Sequence, residues 1–389
     1  MNIAIVGCGY VAEFYAKTLG NYPELKLSAA YDRNAGNLQA FCRRWQVAPC
    51  ARIDELLDDP AVELVLNLTN PRSHYEVSKR CLEAGKHVYS EKPLAMDCAG
   101  ASELVDLAQR NNVRLASAPC SLLGETAQTV WKALRENAVG RVRLVVANFN
   151  DGMIAPKSSP WLWRNELGVP WPAKDEFEVG CTYEHSGYVL TWLAAFFGPA
   201  RQVTSFASCL IRDKGIAVDA MAPDFAAGCI EYRDGVLAQV TCSIVAPNEK
   251  SLTIIGDDGV LFVPNVRNDV CPVYVRSVPT SRLRAAAERR VNGLRAFFGL
   301  EKDWHLWTRY PLARRRPARF AGAGKPVDFC RGPAEVVDAI RQQRPCRLSP
   351  ELGRHVTELI ERLQYPGRFT NGSALTSTFD PIQPLPCLP

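Results

Sequence analysis

The sequence predicts an α/β protein with an N-terminal doubly wound parallel sheet. An α+β domain with a mainly antiparallel, open sheet follows it. Three observations carry this prediction. Apolar strand-like runs alternate with helical patterns through the first third of the chain, the pattern of a parallel sheet covered on both faces. A glycine turn, Gly7-Cys-Gly9, follows the first apolar run. Beyond about residue 125 the alternation gives way to strand-like runs joined by short Asp/Gly turns, which suits antiparallel pairing.

Taken in order, residues 2–6 predict a strand and 11–19 a helix, then 25–31 a strand and 35–45 a helix. Residues 62–68 predict a buried strand, 75–84 a helix closed by Gly85, 87–90 a strand, 98–110 a helix and 113–118 a strand. In the second part, 126–137 predicts a helix, 142–150 a long strand and 158–172 a loop rich in proline and tryptophan. Residues 183–197 predict a helix, and 202–211, 226–232 and 237–245 predict strands. Arg233-Asp-Gly235 reads as a hairpin turn. Residues 251–255 and 260–263 flank a second turn, Gly256-Asp-Asp-Gly259. Late helices are expected over 333–342 and 350–363, and an extended tail from Pro381. The expected division is 1–122 and 123–389.

The 389 residues are 47% hydrophobic and 22% charged, enough to fill a large core. The first seven residues lack the basic start of a leader and read as a strand, so a cytoplasmic protein is expected. No apolar run reaches the ~18–20 residues of a membrane span. Fourteen cysteines lie scattered without a CxxC pair, which reads as buried free thiols rather than disulfides. No Cys/His spacing suits zinc, so no metal is expected. The net charge of +5 is concentrated in residues 282–325, where twelve Lys/Arg face three acids. That segment reads as an amphipathic helix covering the sheet, as a source of arginines for a phosphate, or as a basic membrane-surface helix. No nucleic-acid reading motif accompanies it.

The glycine turn extends to Gly7-Cys-Gly-Tyr10-Val11-Ala12, a GxGxxA pattern between a strand and a helix. Its glycines permit a tight turn and close approach of a pyrophosphate, which the helix N-terminus attracts. The next strand ends at Asp32, where a carboxylate can bind both adenosine ribose hydroxyls. A 2′-phosphate would meet that carboxylate, so NAD is favoured. Arg33 keeps NADP possible, since it can pair with the phosphate or stack on adenine.

Two further strands end in chemistry-bearing turns on the same carboxyl edge: Leu68-Thr69-Asn70-Pro71 with His74, and Glu91-Lys92-Pro93. Together GCGYVA, Asp32, LTNPRSH and AGKHVYSEKPLA resemble the Gfo/Idh/MocA oxidoreductases, the family of glucose–fructose oxidoreductase and inositol dehydrogenase. DFCRGPAEVVDAI and RPCRLSPELGRHVTELIERL are similar to the family's closing helices, so the resemblance spans both halves. It implies an NAD(P)-binding Rossmann domain, with the nicotinamide between it and the open second sheet. The expected cofactor contacts are Gly7, Gly9, Tyr10, Val11, Asp32, Arg33, Thr69, Asn70, His74, Glu91 and Lys92. The resemblance also implies that Lys92 binds the reacting hydroxyl and assists proton transfer. A lysine desolvated beside a cationic nicotinamide is expected to have a lowered pKa.

The family's second motif is an Asp followed four residues later by a His or Tyr. The matching stretch is Gly180-Cys-Thr-Tyr-Glu-His-Ser-Gly-Tyr188, with Glu184 at the Asp position and Tyr188 at the His/Tyr position. It departs from the pattern, because Asp has become Glu and a Ser stands where the family often has Gly. Tyr188 and His185 are rival bases, and on an α-helix Glu184, His185 and Tyr188 cannot all face one substrate. Residues 120–124, CSLLG, also depart from the family's frequent Arg- or Asn-bearing segment. Trp161, Trp163 and Trp171 can stack on a sugar or pack in the core, and Asp175, Glu176 and Glu178 read as hydroxyl-binding or solvated loop acids. The expected reaction is hydride transfer between nicotinamide and a secondary hydroxyl or ketone of a sugar, cyclitol or sugar derivative. The family also holds NAD-dependent glycoside-cleaving enzymes and a non-catalytic regulator, which stand as alternatives. Its open sheet commonly dimerises, implying a homo-oligomer.

Overall fold

In the computed structural model, residues 1–152, 158–279, 282–300, 307–313, 318–322, 326–370 and 372–386 are described. The first third forms β1 (Asn2–Val6), α1 (Ala12–Leu19), β2 (Lys26–Tyr31), α2 (Ala35–Trp45), β3 (Ala48–Pro49) and α3 (Ile53–Asp58). It continues with β4 (Leu64–Asn67), α4 (His74–Glu83), β5 (His87–Ser90), α5 (Cys98–Arg110) and β6 (Leu115–Ser117). The six strands are parallel, in the order β3-β2-β1-β4-β5-β6. Ile3, Ile5, Leu64 and Leu66 pack on one side of this sheet, and Ala4, Val6, Val65 and Val88 on the other. That two-sided burial is why the strands are continuously apolar. The pairs Val6↔Asn67 and Asn67↔Ser90 are in register. The turns at Gly7, Leu68 and Glu91 therefore leave the sheet level with one another.

The second part begins with α6 (Glu125–Arg135), β7 (Val142–Asn150) and α7 (Ala173–Val179). A π-helical turn over Thr182–Ser186 runs into α8 (Gly187–Phe197). Then come β8 (Ala200–Ser208), β9 (Phe225–Tyr232), β10 (Leu237–Ser243), β11 (Leu252–Gly256), β12 (Gly259–Val263), β13 (Val273–Ser277), α9 (Arg282–Phe297), β14 (Thr308–Tyr310), α10 (Arg331–Arg341) and α11 (Pro350–Gln364). The eight strands are ordered β14-β13-β12-β11-β7-β10-β9-β8 and antiparallel except for β7 with β10. α11 packs on both α5 and β8, so this late helix joins the two halves.

Three differences from the sequence reading concern residues 210–211, residues 173–179 and the basic segment. Residues 210 and 211 leave the strand expected over 202–211, because their amides bond the buried Asp224 carboxylate at 2.7 and 2.9 Å. Residues 173–179 form α7 instead of a loop. The third concerns the basic segment. α9 leaves Leu283 at 85% and Phe297 at 83% exposure, with Leu294 and Phe298 also exposed. Among the described residues, then, this helix does not cover the sheet with its apolar residues. Residues 301–306, 314–317 and 323–325 of the basic segment, and 387–389 of the tail, lie outside the described residues. No described helix is long and apolar enough to cross a membrane.

Candidate active site

Gly7 sits at φ +98°, and a Cβ there would lie 2.7 Å from the backbone of Leu68. The turn therefore packs directly on the neighbouring strand end, and only glycine fits. A Cβ at Gly9 would meet nothing within 4 Å, so the turn is open on the side from which a phosphate would come. Val11 precedes α1 and provides no side-chain cap, which suits an N-terminus that receives an anion. Tyr10 packs edge-on against Phe14 at 5.6 Å. Asp32, just past β2, accepts the Cys8 amide at 2.7 Å and the Asn34 amide at 2.7 Å. Both bonds fix its carboxylate beside the glycine turn, with exposed Arg33 following. An open Gly9 cradle, an uncapped helix and an anchored acid fit a dinucleotide.

The β4 and β5 turns are clamped to each other by His74. This buried ring lies 2.7 Å from the Pro93 carbonyl and 2.9 Å from the Thr69 carbonyl. Burial holds its pKa down. Thr69 donates to Asn67 Oδ1 at 2.6 Å, and Asn70 donates to Asp175 on α7 at 2.6 Å. Glu91 is likewise occupied. It accepts the Tyr15 hydroxyl of α1 at 2.7 Å and the Lys92 amide at 3.1 Å. His74 and Glu91 thus shape the two turns from within. The peptide bond between Lys92 and Pro93 is cis.

Lys92 reaches across to the π turn. Its Nζ donates to Glu184 Oε2 at 2.6 Å and to the Glu184 carbonyl at 2.7 Å. Burial by itself would lower the lysine's pKa, but the nearby carboxylates, Glu184 first, outweigh it and hold the ammonium above its ordinary range. The expected lowered pKa is therefore not found in this state, because the carboxylates beside Lys92 oppose the effect of desolvation.

The π turn also decides where the two rival bases go, since its i→i+5 winding is wider than that of an α-helix. His185 turns inward. Its Nε2 lies 2.5 Å from Glu176 and its Nδ1 3.5 Å from Asp151. Burial lowers its pKa, but Glu176 and Asp151 raise it further, and the net shift is upward. Tyr188 stays half-buried and stacks on Phe149 at 5.1 Å, while His185 lies near-parallel to the same ring at 5.9 Å. Burial raises the Tyr188 pKa, and Arg267 and Lys92 partly oppose it.

Several residues at this site escaped the sequence reading. Asp151 follows β7, Lys250 precedes β11 and Arg267 follows β12. The order β12-β11-β7 gathers all three at one end of the sheet. Lys250 lies 2.5 Å and Arg267 3.8 Å from Asp151. Spacing along the chain holds no trace of this cluster, which depends on strand order. Each of the three acids of α7 has a partner. Asp175 bonds Asn70, Glu176 pairs with His185, and Glu178 accepts the Asp219 amide at 3.0 Å. Trp161 and Trp171 pack beside Phe177, whereas Trp163 is 40% exposed. In the departing segment 120–124, Ser121 accepts the Trp192 indole N–H at 3.1 Å and Leu122 is fully buried.

Comparison with known proteins bears on the family and the fold. Residues 1–118 match the oxidoreductase family with an NAD-binding Rossmann fold, and residues 127–262 match the GFO/IDH/MocA C-terminal domain. The chain is 23% identical over 263 residues to trans-1,2-dihydrobenzene-1,2-diol dehydrogenase of Danio rerio, covering 67% of this chain and 73% of that one. Its fold is similar to that of an aldose–aldose oxidoreductase from Caulobacter crescentus complexed with glycerol. That match has a TM-score of 0.72 and 17% identity over 95% of this chain and 99% of the other. The WlbA dehydrogenase from Bordetella pertussis, in complex with NADH and UDP-GlcNAcA, aligns with a TM-score of 0.68 and 18% identity over 96% and 97% of the two chains. With a family match on both halves and a glycine turn built for a dinucleotide, the chain belongs to the Gfo/Idh/MocA family of NAD-binding oxidoreductases.

Proposed function

We propose that this protein transfers a hydride between nicotinamide and a secondary hydroxyl or ketone of a sugar, cyclitol or sugar derivative. The observation that carries the reading is the Lys92–Glu184 contact beside Tyr188, on the sheet edge that also bears the Gly7–Gly9 turn. Residues 1–122 would hold the cofactor through the Gly7–Gly9 turn, Tyr10, Val11, Asp32, Arg33, Thr69 and Asn70. Residues 123–389 would form the substrate side and the self-association face. Asp32 supports NAD over NADP. The bound nicotinamide supplies or accepts the hydride.

The chain's own residues handle the proton. An ammonium has three donors, and Glu184 takes two of those on Lys92. Among the described residues the third has no partner, and it would hold the substrate oxygen. Tyr188 is protonated at rest, so in reduction its hydroxyl gives a proton to the carbonyl oxygen. In oxidation the same proton returns. His185 sits between two carboxylates, near-parallel to Phe149, and serves to hold that wall of the site rather than as the base. The free thiols of the described cysteines suit a reducing, cytoplasmic setting.

The test is a panel of sugars and cyclitols, scored by NADH absorbance with both NAD and NADP. Turnover of a secondary alcohol or ketone, with the lower KM for NAD, is expected. Nicotinamide binding with no turnover of any member would overturn the reaction, and an NADP preference would overturn the cofactor assignment.

A further inference from the structure

Arg267 differs from the buried arginines Arg331 and Arg362. Arg331 is held by Glu125 at 2.7 Å and Asp269 at 3.1 Å, and Arg362 by Glu358 and the carbonyls of Ser373 and Ala374. The Arg267 guanidinium has one ion pair among the described residues, the 3.8 Å contact with Asp151. It lies over the Tyr188 ring, 5.4 Å from its centroid, and its side chain is 36% exposed. Asp151 is already taken. Lys250 lies at 2.5 Å and is buried, and His185 approaches the other carboxylate oxygen. Both oxygens of Asp151 thus have a nearer partner than Arg267, which is the most exposed and least closely paired member of the cluster.

A guanidinium has five donors in a planar fork that matches a carboxylate or phosphate. Here, among the described residues, the fork has no hydrogen-bond partner, and it lies beside the ring of the residue assigned to proton transfer. We propose that Arg267 is an anion subsite, so that the substrate is an acidic carbohydrate carrying a carboxylate or phosphate on the same sugar as the reacting carbon. Its place one tyrosine ring from the reacting oxygen selects an acid group on the sugar itself over one on a distant substituent. The inference rests on the reading of Tyr188 and Lys92 as the reacting site.

The test is calorimetric binding of glucose, glucuronate and glucose 6-phosphate to the NAD-loaded full chain, with wild type, Arg267→Lys and Arg267→Met. At least one acidic probe should bind about tenfold or more tightly than glucose, the scale of a charge-assisted contact. Arg267→Met should abolish that difference, and Arg267→Lys should keep part of it. Equal affinity for acidic and neutral probes, no binding of any, or an acid preference undiminished in Arg267→Met overturns the subsite. Binding is read without turnover, so the two readings separate. Acid-selective binding without hydride transfer removes the proposed reaction and leaves the subsite. Turnover of neutral sugars that is indifferent to Arg267 does the reverse.

Discussion

The Lys92 ammonium lies 2.6 Å from a carboxylate oxygen of Glu184 and 2.7 Å from the carbonyl of the same residue. One residue of the second half thus sets both the position and the charge of a lysine from the first. Glu184 holds Lys92 at two points. Its side chain reaches back to a lysine that its own backbone also holds.

Lys92→Met should lower kcat by about 10²-fold or more, the scale of a lost proton-transfer group, while NAD still binds. Near-normal turnover would remove Lys92 from the chemistry. Glu184→Gln should lower the Lys92 pKa, because the carboxylate is the leading charge that raises it. The alkaline limb of the pH–rate profile should then move to lower pH.

Tyr188→Phe keeps the ring that stacks on Phe149 and carries Arg267, so its loss is confined to the hydroxyl. A fall in kcat of about 10²-fold with little change in KM is expected. His185→Gln should cost less. The opposite ranking would make His185 the base.

The His185–Glu176 pair predicts a pH-dependent stability. Burial lowers the His185 pKa, but the two carboxylates raise it more. A raised histidine contributes stability that is fully present below its unfolded value and is lost as pH rises through its folded value. The melting temperature of wild type should exceed that of His185→Gln most at about pH 6. The gap should narrow toward alkaline pH, and a gap that widened instead would contradict the pairing.

Gly7 and Gly9 separate fold from binding. Gly7→Ala places a Cβ 2.7 Å from Leu68 at φ +98°, and should cost about 1–3 kcal/mol of stability or more. Gly9→Ala meets nothing within 4 Å. It should leave the melting temperature unchanged and weaken NAD binding, as titration of the nucleotide will show.

Local pattern was enough for the parallel sheet, because continuous apolar strands and glycine-closed helices write themselves into consecutive residues. Gly85 closing α4 and Asp32 ending β2 are examples. The short α3 and α7 were not legible. Six and seven residues are too few for helical periodicity to register. The π turn was not legible either, since Thr182–Ser186 runs without a break into α8 and reads as the first turn of the same helix.

The sequence by itself determined the two kinds of sheet, the dinucleotide turn and the lysine at the end of β5, because each depends on contacts within a few residues. Only the tertiary structure decided what surrounds that lysine. It raised the Lys92 pKa where desolvation alone predicted a fall. It turned His185 inward onto Glu176, and it brought Asp151, Lys250 and Arg267 together from three strand ends. Charge acts through space, and the order of strands in a sheet places charges together that the chain keeps more than a hundred residues apart.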